Sequence, residues 1–302
     1  MEYSLRFESV IFLSGLDGGE MGLRWIKHTE ITKHLKPALV EMNISLPPDV
    51  KHRLEEAEKK ETGLGKRVLE RVLENTREAE KQRLPLCQDT GMVVGFVEMG
   101  RQVMVDGQGI KKAIHNTIEE TYREGFFRKS VVQEPVFERR NTKTNLPPVL
   151  YFDVVEGEKL SISLLAKGFG SENCSRVYML KPTAGKQQVI DAVCRTIYEA
   201  GGLPCPPVVV GVGIGGTMDC ASVCSKKALL RPLDGPNAHP LYSQMEQELY
   251  QQINALGIGP GGLGGKTTAL GVKVEYHPTH IAGLPVAVSV NCWADRKTQV
   301  VI

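Results

Sequence analysis

Pro207-Val208-Val209-Val210-Gly211-Val212-Gly213-Ile214-Gly215-Gly216-Thr217 is an apolar, β-branched run that passes into glycines, and a helical pattern follows it over 217–230. Residues 207–212 read as a buried strand, because nothing polar interrupts them. The alternation continues outward on both sides. Residues 186–200 form an amphipathic helix ended by Gly201-Gly202, and 241–256 form another. Strand patterns fall at 272–276 and 287–291, and earlier at 92–99, 149–155 and 160–166. The last two are joined by a turn at Glu156-Gly157. A helix fits 110–125. Residues 25–81 read as helical throughout: Leu64, Val68, Leu69, Val72 and Leu73 recur at helical spacing among charged residues. Leu46-Pro47-Pro48-Asp49 breaks this region. The fold class is mixed α/β, a helical N-terminal region followed by alternating strands and helices.

The chain of 302 residues is long enough for a sizeable core, with 41% hydrophobic and 24% charged residues. Lys plus Arg is 37 against 35 for Asp plus Glu, a balance that gives no electrostatic case for nucleic acid or an anionic membrane. No apolar run approaches the roughly 20 residues that span a bilayer. Residues 1–20 read as a leader or a misassigned start, since Ser9-Val10-Ile11-Phe12-Leu13 is too short for a secretory signal and Met21 opens a more regular segment. Residues 21–302 read as a single domain. Seven cysteines, an odd number in a large chain with no secretion signal, point to cytoplasmic thiols rather than a disulfide framework.

Two glycine-rich stretches imitate nucleotide sites. The Gly211–Gly216 pattern matches G-x-G-x-x-G, so a nucleotide-binding or regulatory module is one reading. That reading needs a second strand ending in an acid. Asp234 lies 18 residues beyond Gly216, but the segment leading to it contains Pro232 and is not β-branched. A glycine turn before a helix suits any anion, a carboxylate included. Pro260-Gly261-Gly262-Leu263-Gly264-Gly265-Lys266-Thr267 ends like a P-loop, yet Pro260 stands where glycine is needed and a helix pattern precedes it.

Three cysteines sit at element boundaries. Cys87 lies in Leu84-Pro85-Leu86-Cys87-Gln88-Asp89-Thr90-Gly91, Cys205 in Gly202-Leu203-Pro204-Cys205-Pro206-Pro207, and Cys292 in Asn291-Cys292-Trp293-Ala294-Asp295-Arg296. A boundary lets the backbone present a thiolate to a cleft. Cys194 falls mid-helix and reads as a core thiol. Cys220 and Cys224 share a helix face with no nearby His, a weak metal signal that reads better as packing. Cys174 stays ambiguous. Spacing alone does not define a site here.

These motifs, with Lys167-Gly168-Phe169-Gly170-Ser171-Glu172-Asn173 and Gly213-Ile214-Gly215-Gly216-Thr217, resemble those of class I fumarases in the same order. The resemblance runs from about Ile26 to the C-terminus. It covers the N-terminal half of the single-chain enzymes, or the α subunit of the two-subunit form, and implies a domain of that type. It implies that Cys87, Cys205 and Cys292 each ligate one iron of a 4Fe–4S cluster, the remaining iron acting as a Lewis acid in interconverting fumarate and malate. It assigns Gln88, Asp89, Arg128 and Gly170 to binding a small dicarboxylate, and Asp89 and His280 to catalysis. By themselves Arg128 reads as a solvated surface arginine and His280 as a loop histidine. The resemblance places the base on a β subunit, so the chain is expected to act in a hetero-oligomer. The L-tartrate dehydratase α subunit is similar too. The glycine loop at 167–173 and Asp295, where the tartrate enzymes tend to carry His, favour fumarate.

Overall fold

The computed structural model describes residues 22–302, so the expectation for residues 1–20 lies outside the described residues. A short strand, β1 (Arg24–Ile26), leads into α1 (His28–Ile44), α2 (Pro48–Lys60) and α3 (Gly63–Gln82). Next come β2 (Met92–Gly100), β3 (Val103–Val105), α4 (Gly109–Glu124), β4 (Val149–Val155) and β5 (Leu160–Lys167). The one-turn α5 (Phe169–Glu172), β6 (Arg176–Leu180), α6 (Lys186–Ala200), β7 (Val208–Gly215), α7 (Met218–Leu230) and α8 (Pro240–Ala255) follow. Finally come β8 (Ala269–His277), β9 (Leu284–Asn291) and β10 (Lys297–Val301). The mixed α/β class and the helical start stand, with Pro48 at the first position of α2, where its missing N–H costs nothing.

Two four-stranded mixed sheets carry the fold, in the orders β10-β5-β2-β4 and β6-β9-β7-β8, and β1 pairs β3 separately. Side-chain alternation assigns each face. On β2, Val93 and Val97 enter a core with Ile31, Leu35 and Leu39 of α1 and Ile114 and Ile118 of α4. Val94 and Phe96 point the other way, into a core shared with α2, α3, Val209, Leu229 and Leu270. On β7, Val208, Val210, Val212 and Ile214 pack against Val189, Val193 and Ile197 of α6 and Leu249 and Ile253 of α8. The central core therefore lies between the sheets, and each sheet has its own helix pair on the outer face.

Strands β4 and β5 are joined by the turn expected at 156–157 but do not pair with each other. They flank β2 on opposite sides, β4 parallel and β5 antiparallel. The end of β2 meets their link directly: Gly100 N–H donates to Lys159 O at 2.8 Å and Arg101 N–H to Val155 O at 2.8 Å. These bonds satisfy the backbone without hairpin pairing.

Both nucleotide-like stretches serve the fold. β7 runs to Gly215, beyond the expected end at 212, so Gly211 and Gly213 lie inside the strand and face α7. A Cβ on Gly211 would meet Ser225 O at 2.1 Å, and one on Gly213 would meet Ala221 O at 1.9 Å. The glycines let helix backbone rest on strand backbone. In the P-loop-like stretch, Lys266 and Thr267 donate their backbone N–H groups to Glu61 Oε1 at 2.7 and 2.5 Å. A carboxylate of the chain itself, on a residue only 3% exposed, already fills that cradle.

Gly213→Ala is expected to destabilise the fold by about 3 kcal/mol, because backbone rather than a mobile side chain opposes the methyl. Gly185→Ala, with nothing within 4 Å of the added Cβ, should change stability by no more than about 0.5 kcal/mol. Urea denaturation of both variants checks the contrast.

Candidate functional site

Four chain segments meet where the two sheets share a rim. The loop 83–91 enters β2, the turn 168–170 leaves β5, the segment 201–207 enters β7, and the turn 292–296 leaves β9 and crosses to β10 in the other sheet. The antiparallel register puts Val209 beside Asn291 and Met92 beside Lys167. Ala166 N–H donates to Arg296 O at 3.0 Å, and Trp293 N–H to Cys205 O at 3.4 Å, so the crossover turn is tied to both sheets.

Cys87 is presented by a loop pinned on both sides. Leu86 N–H donates to Asn43 O of α1 at 2.9 Å, and Asn75 of α3 donates to Leu86 O at 2.9 Å. Cys205 is exposed and stands in the left-handed region at φ 53°, a conformation that a side chain adopts only at some cost. Cys292 follows the last residue of β9 and is half-buried. Burial raises the Cys205 pKa and the nearby Cys87 adds to the rise. Burial pushes Cys292 up to about 11, Arg296 pulls it back and Cys87 again raises it.

The expected binding residues lie around these thiols. Asp89 is held by two backbone donors, Gly91 N–H to Oδ1 at 2.9 Å and Phe169 N–H to Oδ2 at 2.8 Å. The second bond fixes the 168–170 turn against the Cys87 loop. A Cβ on Gly170 would lie 3.9 Å from Leu203 O, so the same turn touches the Cys205 segment. Thr90 Oγ1 donates to Arg128 O at 2.8 Å, which sets exposed Arg128 beside the loop that carries exposed Gln88. Cys174, ambiguous in sequence, is buried beneath the turn, its thiol 3.4 Å from Gly170 O.

His280 stands apart. It sits on the exposed link between β8 and β9 and accepts a hydrogen bond from Ala282 N–H at 3.1 Å. That link is at the Gly215 end of β7, where Gly216 N–H donates to Pro278 O at 3.2 Å, and the cysteines are at the Val208 end. At roughly 3.3 Å per residue, a full strand of about 20 Å separates the two ends. The chain by itself does not bring His280 to the thiols. Among the other cysteines, Cys194 packs between α6 and α8, its Sγ 3.9 Å from Gln252 Oε1. Cys220 and Cys224 lie side by side on α7, where burial pushes Cys224 up to about 11.

Sequence reasoning passed over two charged residues inside the quoted motifs. Lys167, 1% exposed, ends β5 after four apolar or small residues, and its Nζ bonds Ser171 Oγ at 2.9 Å and Gly168 O at 3.2 Å. It also pairs with Glu172 at 3.3 Å, and Glu172 pairs in turn with Lys226. Burial works against the Glu172 carboxylate, but the two ammonium groups outweigh it and hold its pKa below the usual value. Arg296, also 1% exposed, has no partner at Nε or Nη1. For Lys167 the available signal was a lysine closing an apolar strand end; for Arg296, on a turn, there was none.

Comparison with known proteins agrees with the motif order. Residues 32–301 match the family model for fumarate hydratase. A Methanocaldococcus jannaschii protein with the provisional name L(+)-tartrate dehydratase subunit alpha is 42% identical over 268 residues, covering 85% of this chain and 92% of that one. The L(+)-tartrate dehydratase subunit alpha of Escherichia coli O157:H7 is 32% identical over 260 residues, covering 85% and 86%. The chain belongs to the fumarate hydratase family of hydro-lyases.

Burial, opposed by Glu172, lowers the Lys167 pKa from 10.5 to about 8. Between those values the unfolded chain binds the extra proton, so this lysine makes the fold more stable as pH rises, by up to about 1.4 kcal/mol per pH unit. Lys167→Met should flatten that part of the stability profile. Urea midpoints of both proteins across the window give the difference directly.

Proposed function

We propose that this member of the fumarate hydratase family is the cluster-binding α subunit of a hydro-lyase that interconverts fumarate and L-malate, acting with a β subunit. The observation that supports it is the meeting of Cys87, Cys205 and Cys292 from three separate segments on one rim, beside Asp89, Arg128 and the Gly170 turn. Among the described residues no three His, Cys, Asp or Glu side chains close on a point as a single ion requires. Three thiols brought to one rim by separate segments suit a polynuclear cluster, which takes one thiolate per iron. When bound, such a cluster supplies Lewis acidity that eases departure of the substrate hydroxyl.

The residues of the chain bind and orient. Arg128 offers a planar fork to one substrate carboxylate, a geometry that lysine lacks. Gly170, on the turn that Asp89 fixes, presents its backbone with no side chain in the way. Gln88 provides a neutral amide beside them. Asp89 keeps an acceptor at a fixed place, since backbone donors lock both of its oxygens. In the dehydration direction the C3–H bond breaks as its proton passes to a base, and the C2–O bond breaks as the hydroxyl leaves with a proton as water. The base is assigned to the β subunit. His280 serves such a centre only in an assembly where a second copy of the chain places its own His280 beside the cysteine rim.

L-Tartrate is the second reading, and the subunit names of the relatives favour it. Asp295 favours fumarate by resemblance; it is buried and bound by Asn291 at 2.6 Å. Both readings share the site and the partner.

Anaerobic reconstitution with iron and sulfide should give about four irons per chain. Cys87→Ser, Cys205→Ser and Cys292→Ser should each lose the cluster, while Cys194→Ser and Cys220→Ser keep it. Assays of fumarate hydration and tartrate dehydration with the β subunit then decide the substrate. A chain that takes up no iron, or one whose iron depends on Cys220, overturns the assignment.

A further inference from the structure

Arg296 is among the largest fully buried side chains of the protein. Its Nε and Nη1 are shut away from solvent without a hydrogen-bond partner. A buried, unpaired guanidinium is costly, and such groups normally sit against an anion. The adjacent acid does not serve. Asp295 forms no ion pair with Arg296: Asn291 donates to Oδ1 at 2.6 Å, and Oδ2 faces the Lys297 ammonium at 2.9 Å without a hydrogen bond. Asp89 forms no ion pair or hydrogen bond with the guanidinium either; its two oxygens accept from Gly91 and Phe169 N–H. Lys167, equally buried, makes the contrast, since it has Ser171, Gly168 and Glu172.

The place of Arg296 narrows what the missing anion is. Arg296 lies four residues after Cys292, on the turn that crosses between the sheets. A Cβ on Gly168 would stand 3.6 Å from Arg296 Nη2 and 3.2 Å from Asp89 Oδ2, so the guanidinium borders the same turn as Asp89. An exchanging substrate approaches from solvent, and Nε and Nη1 have no face on solvent. Enclosed donors suit a resident anion that is built in with the fold.

We propose that Arg296 is a positioning residue for the cluster: its buried guanidinium would supply charge and N–H donors beside the group that Cys292 would hold. The proposal rests on the cluster reading above. Charge and hydrogen bonds near cluster sulfurs set the reduction potential, and a cation favours the more negative, reduced state. Substrate binding is left to Arg128, which solvent reaches.

The test uses the reconstituted chain with Arg296→Gln and Arg296→Lys, after circular dichroism has matched both to the parent. Iron and sulfide are counted first, then the cluster potential is titrated with detection by electron paramagnetic resonance. The expected result is an Arg296→Gln potential shifted to more negative values and an Arg296→Lys potential close to the parent. Loss of the cluster in Gln but not in Lys also supports the proposal, because charge separates those variants. If Gln does not fold, a parent-like potential in Lys supports it and a shifted one overturns it. A parent-like potential in folded Gln overturns the Arg296 role alone, as does loss of the cluster in both folded variants. A parent chain that takes up no cluster overturns this role and the functional reading together.

Discussion

The close approach of α7 to β7 is the constraint on which the rest of the structure depends. Gly211 and Gly213 remove two Cβ atoms that would otherwise stand 2.1 and 1.9 Å from the carbonyl oxygens of Ser225 and Ala221, inside van der Waals contact. The helix therefore lies on the strand, and Ser225 reaches Ser289 of β9 at 2.8 Å. Its other side meets the first sheet: Leu229 shares a core with Val94 and Phe96, and Lys227 sits over the Phe96 ring at 5.6 Å. The thickness of this one helix sets the gap between the sheets. A short crossover, residues 292–296, can then leave β9 and enter β10 while its carbonyls and N–H groups bind both. If a methyl group pushed α7 outward, the turn carrying Cys292 and Arg296 would be the first element pulled off the rim.

Much of this was legible in the sequence, and the failures share a physical cause. Long elements with a clear period were recovered nearly to the residue: α4, α6, α7, α8, β2, β4 and β5. The short strands β1, β3 and β6 were not, because an edge strand such as Arg176–Leu180 is largely exposed and has no hydrophobic period to read. Strand partnership was also hidden. The turn at Glu156-Gly157 carries a local hairpin signal, and only the third strand that intervenes cancels it. The glycine motif misled in a similar way. A local pattern names glycines without saying whether they face a phosphate or a helix, and here α7 decides. The three cysteines were placed by resemblance, since ligands scattered over about 200 residues have no spacing to match. Lys167 and Arg296 were in the quoted motifs, but what makes them notable is burial, which a motif does not record.

The rim has an electrostatic character of its own. Lys167, Lys226, Arg128 and Arg296 stand against Asp89 and Glu172. The near-neutral charge of the whole chain conceals this local excess of cations. The pattern has an inner and an outer part. Lys167 and Arg296 are enclosed, so their charges act through a low dielectric and are little screened by salt. Arg128 is exposed and its charge is screened. The inner charges are set to stabilise fixed anions, and the outer one to meet an anion that comes and goes.

The apolar rim points the same way. Phe169 is 48% exposed and Leu203 74%, on the two turns that flank Cys205, itself exposed. A dehydratase must admit one water and exclude the rest, because bulk water weakens every charge–charge contact on which binding and proton transfer rely. These two side chains cannot keep water out by themselves, since neither covers the thiol beside it. Under the proposed function the β subunit does more than bring the base. It converts an open, wet rim into a closed cleft, and only then do Arg128 and Asp89 act at full strength. Under that function a site shared between two chains couples assembly to catalysis: the cysteine rim gains a low-dielectric environment at the moment the partner supplies the base.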